Sequence, residues 1–84
     1  MRITFKLFAT LQDYLPAEAK KTNALMLELE AGMTVQQLIE RFSLPQKLCH
    51  LVLIDGHFVP PAERAARALQ DGETLAIWPP VAGG

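Results

Sequence analysis

With 84 residues the chain has the length of one domain, and its hydrophobic fraction of 50% is too high for a disordered protein. Its 8 basic and 9 acidic residues give a net charge of −1, which offers no positive excess to neutralise phosphates, so we predict no nucleic-acid binding. No segment reaches the roughly 20 apolar residues of a membrane helix, so we predict no membrane anchor. The first residues contain no signal-peptide core, and the single cysteine, Cys49, has no partner for an internal disulfide. We therefore predict a cytoplasmic protein.

The amino-terminal part of the chain predicts two strands that pair antiparallel. Residues 3–8 alternate apolar and polar side chains, which is typical of a half-buried strand. The apolar spacing of residues 9–15 indicates one or two helical turns that end at Pro16, whereas residues 17–23 are polar and are predicted to form a loop. The second strand covers residues 25–30 and directs its leucines inward.

The clearest predicted helix begins after Thr34. Thr34 is a favourable N-cap and Gln37 follows three residues later, which is the spacing of a capping box. An apolar stripe at helical spacing is formed by Val35, Leu38, Ile39 and Phe42. The helix is predicted to end at residues 43–45, and its apolar stripe is expected to pack on a sheet.

The second half of the chain predicts a hairpin and a final strand. Residues 51–59 contain an apolar strand, an Asp55-Gly56 pair that suits a type I′ turn, and a short returning strand. Residues 62–68 are predicted to form a helical turn. The last strand covers residues 73–78, and Pro79-Pro80 prevents its extension because proline cannot donate to a strand ladder.

This order of elements predicts an α+β fold in which one main helix covers one face of a mixed sheet of four to five strands. The first and last strands are expected side by side in the middle, flanked by the second strand and by the hairpin. The arrangement resembles the β-grasp, or ubiquitin-like, fold. We therefore predict a β-grasp domain over residues 1–78 and a flexible carboxyl-terminal tail over residues 79–84.

The tail, Pro79-Pro80-Val81-Ala82-Gly83-Gly84, suggests a chemical role for its last carboxylate. Glycine has no Cβ, so a Gly-Gly end can pass through a narrow slot and leaves the terminal carboxylate unshielded. A carboxylate becomes an electrophile once it is adenylated, which predicts that Gly84 enters a partner's active site. The alternative is an ordinary frayed terminus, because glycine-rich ends are common in folded domains.

The segment Trp78-Pro79-Pro80-Val81-Ala82-Gly83-Gly84 resembles the end of the small bacterial sulfur carriers of the β-grasp fold, above all the small subunit of molybdopterin synthase. Three upstream parts resemble the same family: the opening strand that runs into Ala9-Thr10-Leu11, the helix start Thr34-Val35, and Leu69-Gln70-Asp71-Gly72-Glu73. The sulfur carrier of thiazole biosynthesis ranks second, because it usually lacks the double proline.

The resemblance implies a carrier rather than an enzyme, with Gly84 as the reacting residue. A partner related to ubiquitin-activating (E1) enzymes adenylates the Gly84 carboxylate with ATP, and a cysteine desulfurase and sulfurtransferase relay supplies the sulfur that makes a thiocarboxylate. The tail then enters the large subunit of molybdopterin synthase, or a thiazole synthase. The carrier binds no cofactor itself, since ATP is used by the activating partner. A protein modifier that forms isopeptide bonds, and an interaction domain with an inert tail, stay open as alternatives.

Strand parity directs Trp78 and Phe8 away from the predicted helix. An exposed aromatic side chain beside a functional tail is a candidate interface anchor, and the equally good alternative is that another loop covers it.

Other tempting residues have simpler interpretations. Cys49 precedes an apolar strand and is predicted to be a small buried hydrophobe. His50 and His57 have no further ligands nearby, so we predict surface histidines and no metal site. Glu28 and Glu30 alternate with leucines and are interpreted as the solvent face of a strand.

Overall fold

The structure is a computed structural model that describes residues 1–80. Its strands are β1 (Arg2–Leu7), β2 (Ala24–Glu28), β3 (Leu51–Ile54), β4 (His57–Phe58) and β5 (Thr74–Trp78). Its α-helices are α1 (Ala17–Lys20) and α2 (Val35–Arg41), and short 3₁₀ helices cover Ala9–Tyr14, Gln46–Leu48 and Pro61–Glu63. Within this range no helix has the length and apolar content needed to cross a membrane.

The strands form one mixed sheet in the order β2-β1-β5-β3-β4. The central strands β1 and β5 are parallel, with Phe5 opposite Leu75 and Leu7 opposite Ile77. All other neighbouring strands are antiparallel. The first and last strands therefore lie in the middle, with β2 on one side and the β3–β4 hairpin on the other, which confirms the predicted β-grasp arrangement.

The core lies between one face of this sheet and helix α2. The fully buried side chains at its centre come from both layers: Phe5, Leu7, Val35, Leu38, Ile39, Val52, Leu75 and Ile77. The predicted apolar stripe of the helix is confirmed, and Phe42 completes it at the end of α2. The Phe42 ring packs on that of Phe5 with the ring centroids 4.8 Å apart.

Helix α2 begins with the predicted capping box. The Thr34 hydroxyl oxygen accepts a hydrogen bond from the Gln37 N–H at 3.1 Å, and the Gln37 side-chain oxygen accepts one from the Thr34 N–H at 2.9 Å. The first two N–H groups of the helix donate to the carbonyl oxygens of Arg67 and Arg64. Because helix N–H groups in the first turn lack partners within the helix, these bonds tie the segment after β4 to the start of α2.

The β3–β4 hairpin has the predicted turn. Asp55 has a φ of 49° and Gly56 a φ of 85°, and a type I′ turn requires positive φ at both central positions. The Asp55 carboxylate also accepts a hydrogen bond from the Thr74 N–H at 2.8 Å, which fastens the turn to the start of β5.

The prediction of a loop over residues 17–23 is wrong at its start, where the structure has helix α1. Four residues, Ala17–Lys20, are helical, and Ala19 turns inward and is buried. The Ala19 N–H donates to the Pro16 carbonyl oxygen at 2.9 Å. The sequence did not predict this helix because only Ala19 reaches the core, and one small apolar residue gives no helical periodicity.

Replacing Leu38 with alanine tests the packing of α2 on the sheet. Leu38 is completely buried, so we expect the free energy of unfolding to fall by about 2–5 kcal/mol, measured by denaturant titration. The matched control is Leu51→Ala, since Leu51 is 37% exposed on the other face and should lose clearly less stability. Equal losses at both positions would contradict the assignment of the core to the α2 face.

Replacing Ala9 with glycine tests local backbone strain at the end of β1. Ala9 has a φ of 54°, a left-handed conformation that costs a residue with a Cβ about 1–2 kcal/mol. We expect Ala9→Gly to raise the free energy of unfolding by up to about 1 kcal/mol, because glycine reaches this φ without that cost. The control is Ala62→Gly, at an exposed position without positive φ, which should lower stability instead.

Candidate functional site

The sheet face opposite α2 carries an exposed apolar surface. Cross-strand pairing places Trp78 beside Leu51, Ala76 beside Leu53, and Leu53 beside Phe58. We call these residues, together with the neighbouring aromatic residue of the β1 side, the apolar patch: Phe8, Leu51, Leu53, Phe58, Ala76 and Trp78. Phe58 is 54% exposed and Leu51 is 37% exposed, whereas Phe8, Leu53 and Trp78 are half-buried and Ala76 is buried between its neighbours on the sheet. Apolar surface of this kind on a small domain is typical of an interaction site.

Phe8 and Trp78 form the part of the patch closest to the tail. Their rings stack face to face, with centroids 4.3 Å apart and planes inclined by 3°. The Phe8 N–H donates to the Ile77 carbonyl oxygen at 3.2 Å, which extends the pairing of β1 with β5 by one residue. Both aromatic side chains are half-buried, and each contributes to the cover of the other. The predicted placement of both on the face away from the helix is confirmed.

Charged groups on this face lie at the margin of the apolar patch. Arg2 and Glu28 form an ion pair of 2.8 Å at the opposite end of β1. Lys6 lies next to Ala76 and is half-buried. Met26 is 59% exposed on the outer strand β2, where its sulfur accepts a hydrogen bond from the Thr4 hydroxyl at 3.2 Å. The patch thus crosses the sheet from β4 to β1 and is bordered by polar groups on the side of β2.

The chain leaves the sheet directly beside the patch. Strand β5 ends at Trp78, whose carbonyl oxygen accepts a hydrogen bond from the His50 N–H at 3.1 Å. Pro79 has no N–H to continue the ladder; it is buried, and Pro80 is exposed. The remaining predicted site residues, Val81, Ala82, Gly83 and Gly84, lie outside the described residues.

Arg64 is a buried cation that the sequence analysis missed. Its side chain is 3% exposed and donates to three carbonyl oxygens: Cys49 at 2.7 Å, Val59 at 3.2 Å and His50 at 3.4 Å. Desolvation lowers the pKa of Arg64, yet a guanidinium keeps its charge at neutral pH. The alanine-rich stretch after the hairpin contains two arginines, Arg64 and Arg67, and its pattern does not indicate which of them is buried.

Cys49 is a structural residue, as predicted. It is 3% exposed, and its burial raises the pKa of the thiol, an effect that the nearby Arg64 charge opposes. A thiol with a raised pKa stays protonated at neutral pH and is a poor nucleophile. Cys49 therefore gives no support to a sulfur-relay role for this side chain.

The glutamates and histidines singled out in the sequence, Glu28, Glu30, His50 and His57, are exposed side chains. Glu28 and Glu30 are exposed, and each pairs with an arginine. The hydrogen bond from Arg41 lowers the pKa of Glu30 to about 2. His50 and His57 are exposed, and no group of three or more His, Cys, Asp or Glu side chains between residues 1 and 80 could hold a metal ion. A concavity of about 360 Å³ next to the Glu30–Arg41 pair is shallow and polar.

Comparison with known proteins gives a family match over nearly the whole chain. The ThiS family model matches residues 5–84. No curated protein matches the chain at a significant level of similarity.

Three solved structures have the same fold. The HVO 2177 protein of Haloferax volcanii is 25% identical with a TM-score of 0.74, over 100% of this chain and 87% of that one. The small archaeal modifier protein 1 of H. volcanii is 21% identical with a TM-score of 0.63, over 95% of this chain and 98% of that one. The complex of subunits 1 and 2 of molybdopterin-converting factor from Helicobacter pylori 26695 gives 16% identity and a TM-score of 0.60, over 100% of both chains.

The family match and the sheet order lead to the same assignment. The strand order observed here is that of a β-grasp domain, and the solved structures align with 95–100% of this chain at TM-scores of 0.60 to 0.74. The sequence resemblance in the tail points to the same group of proteins. The chain belongs to the ThiS family of small β-grasp sulfur carriers.

Proposed function

We propose that this chain carries sulfur on its Gly84 carboxyl group, as a thiocarboxylate, and serves as the small subunit of a molybdopterin synthase. One observation supports the proposal most strongly: the chain leaves the sheet at Pro79 and Pro80 directly beside the exposed apolar patch. A partner that covers the patch is therefore in position to receive the segment that follows Pro80. The ThiS family match includes that segment.

The proposed chemistry takes place in two steps on the Gly84 carboxylate. An activating enzyme joins the carboxylate to the α-phosphate of ATP and releases pyrophosphate. In the second step, a persulfide of the desulfurase and sulfurtransferase relay attacks the carbonyl carbon and forms the C–S bond as AMP leaves. A thiol of the relay then attacks the resulting S–S bond, which releases the thiocarboxylate and leaves a disulfide on the relay. Activation of this kind divides one difficult substitution into two easier ones. The carrier contributes the carboxyl group and binds no cofactor, because the ATP belongs to the activating enzyme.

The dimensions of the tail fit insertion into a partner. Six residues, from Pro79 to Gly84, span at most about 20 Å when extended, and the radius of gyration of the protein is 12.0 Å. The two prolines restrict the backbone at the base of the tail, which reduces the entropy lost on docking. Gly83 and Gly84 add no side chain at the tip, so the tip is narrow.

The molybdopterin pathway is favoured over thiazole synthesis by two observations. The double proline at residues 79 and 80 resembles the molybdopterin synthase small subunit, and one of the solved structures with this fold is a complex of subunits 1 and 2 of molybdopterin-converting factor. We place the reaction in the cytoplasm, where ATP is available and a cysteine such as Cys49 remains a free thiol.

A second candidate is a protein modifier that joins Gly84 to lysine side chains. The similarity to the small archaeal modifier protein 1 favours it specifically. The intact mass of the protein isolated from cells separates the two candidates. An oxygen-to-sulfur exchange on the last residue supports the carrier, whereas covalent adducts of the whole chain with other proteins support the modifier.

Extending the chain by one residue beyond Gly84 tests the terminal-carboxylate mechanism. The extension moves the carboxyl group by up to about 3.5 Å. Because a displacement of 1 Å can lower a rate by about 10²-fold, we expect little or no thiocarboxylate when the variant is incubated with the activating enzyme, ATP and a sulfur donor. Gly83→Val should give the same result by blocking entry into a narrow slot.

The control for both tail variants is their thermal unfolding, which should match that of the native chain because the changes lie beyond the last strand. The product is read as the mass of the carboxyl-terminal peptide. If the extended chain acquires sulfur as readily as the native chain, the proposed mechanism is wrong.

Replacing Trp78 with alanine tests the apolar patch as a docking surface. An anchor residue in an interface typically contributes about 2 kcal/mol or more, so we expect the dissociation constant for the activating enzyme to rise at least about 30-fold, measured by calorimetry. Loss of the stack on Phe8 should cost the fold only about 0.5–1.5 kcal/mol beyond the loss of burial.

The matched control for this experiment is Met26→Ala. Met26 is more exposed than the patch residues and lies on the same sheet face, but outside the patch. Unchanged affinity in Met26→Ala together with weakened binding in Trp78→Ala supports the patch. Equal affinities for Trp78→Ala and the native chain would exclude Trp78 as an anchor.

A further inference from the structure

Arg64 stands out because its buried charge is neutralised by no carboxylate in the described part of the chain. Arginine is rarely this buried unless it is paired, and the ion pairs formed among residues 1–80 involve other arginines. All three of its hydrogen-bond acceptors are backbone carbonyl oxygens. A charged donor makes a stronger hydrogen bond than a neutral one, so the arrangement orients those carbonyl groups firmly.

The shortest of these three hydrogen bonds connects Arg64, through one peptide group, to the residue that precedes the tail. Arg64 Nη1 donates to the Cys49 carbonyl oxygen at 2.7 Å. The same peptide group carries the His50 N–H, which donates to the Trp78 carbonyl oxygen at 3.1 Å. A charge on one side of a peptide group polarises it and strengthens the hydrogen bond on its other side. Two consecutive hydrogen bonds therefore connect the Arg64 guanidinium, through the Cys49–His50 peptide group, to the Trp78 carbonyl oxygen.

The Trp78 carbonyl belongs to the peptide group that joins Trp78 to Pro79. Fixing the direction of this carbonyl fixes the plane of that peptide, and the proline ring then fixes the next φ near −65°. The residue before a proline is also restricted to extended conformations. The direction in which the chain leaves β5 is thus determined by the hydrogen bond from His50.

Further hydrogen bonds connect Arg64 to helix α2 and to the β3–β4 hairpin. Its carbonyl oxygen accepts the Gln36 N–H at 3.0 Å, at the start of α2. Its Nε donates to the Val59 carbonyl oxygen at 3.2 Å, and the Val59 N–H donates to Val52 at 2.8 Å. The guanidinium is therefore fixed relative to both the helix and the hairpin, which makes it a rigid support.

We propose that Arg64 is a positioning residue for the carboxyl-terminal tail, acting through the Cys49–His50 peptide on the Trp78–Pro79 bond. It does not contact the reacting carboxyl group. Its role is to fix the direction in which the chain leaves β5 at the Trp78–Pro79 peptide, next to the apolar patch on which a partner docks. The inference rests on the proposed function, because an aimed tail matters only if the tail enters a partner.

The test compares Arg64→Met and Arg64→Lys with the native chain in two measurements. The first is amide hydrogen exchange at His50, followed by NMR in the carrier alone. Removing the charged donor leaves the His50–Trp78 hydrogen bond in place but weakens it, so exchange of the His50 amide should become about twofold faster or more. The Asp55 N–H donates to Thr74 at 2.9 Å at the other end of the same strand pair and serves as the internal control. Equal acceleration at both amides means global destabilisation and overturns the inference.

The second measurement is the ATP–pyrophosphate exchange catalysed by the activating enzyme encoded in the same genome. A misdirected tail should lower kcat for Arg64→Met about tenfold or more, since small displacements of a reacting group have large effects on rate. KM should change little, because the apolar patch is intact. Arg64→Lys keeps the charge without the planar fork of donors and should give an intermediate kcat.

The control for stability is Leu38→Ala, which weakens the core through α2 and whose side chain takes no part in the hydrogen bonds of Arg64. All variants are assayed at a temperature where they remain folded. Native kcat in Arg64→Met, or an equal loss of kcat in Leu38→Ala, overturns the positioning role. If the native carrier itself supports no exchange, the proposed function fails and the inference falls with it. An active native carrier with an unaffected Arg64→Met refutes the inference alone.

Discussion

The parallel pairing of β1 with β5 is the constraint on which the rest of the molecule depends. Parallel strands run in the same direction, so their carboxyl ends meet at one edge of the sheet. This brings Phe8, at the end of the first strand, onto Trp78, at the end of the last, although 70 positions separate them in the numbering. The tail therefore begins beside an aromatic pair that the fold assembles.

The two faces of the sheet differ in burial, and we infer that one supplies stability and the other recognition. One face packs on α2 through fully buried side chains and supplies the core, which must be well filled because a domain of this size buries a modest fraction of its surface. The other face presents the apolar patch without a covering element among residues 1–80. A small carrier can leave this surface open because the core on the opposite face already stabilises the sheet. Partner proteins can then cover it without disturbing the core.

The segment between β4 and β5 has a structural and, we infer, a functional task. Through the carbonyl oxygens of Arg64 and Arg67 it completes the first turn of α2, and through the Arg64 guanidinium it holds the loop before β3. A guanidinium with five donors in a fixed plane can serve several carbonyl groups together, which a hydrophobic side chain cannot do. The same contacts that stabilise the turn thus extend to the peptide at the base of the tail.

The sequence alone determined the features that depend on local patterns. Alternation in residues 3–8, the Thr34–Gln37 capping box and the Asp55-Gly56 turn report local backbone geometry, so the strands, α2 and the hairpin were predictable, as was the outward direction of Trp78. Only the tertiary structure decided that Phe8 stacks on Trp78 and that Arg64 is buried under the loop before β3. These contacts join residues far apart in the chain, and no periodicity within one segment can indicate which distant carbonyl or ring a side chain will meet.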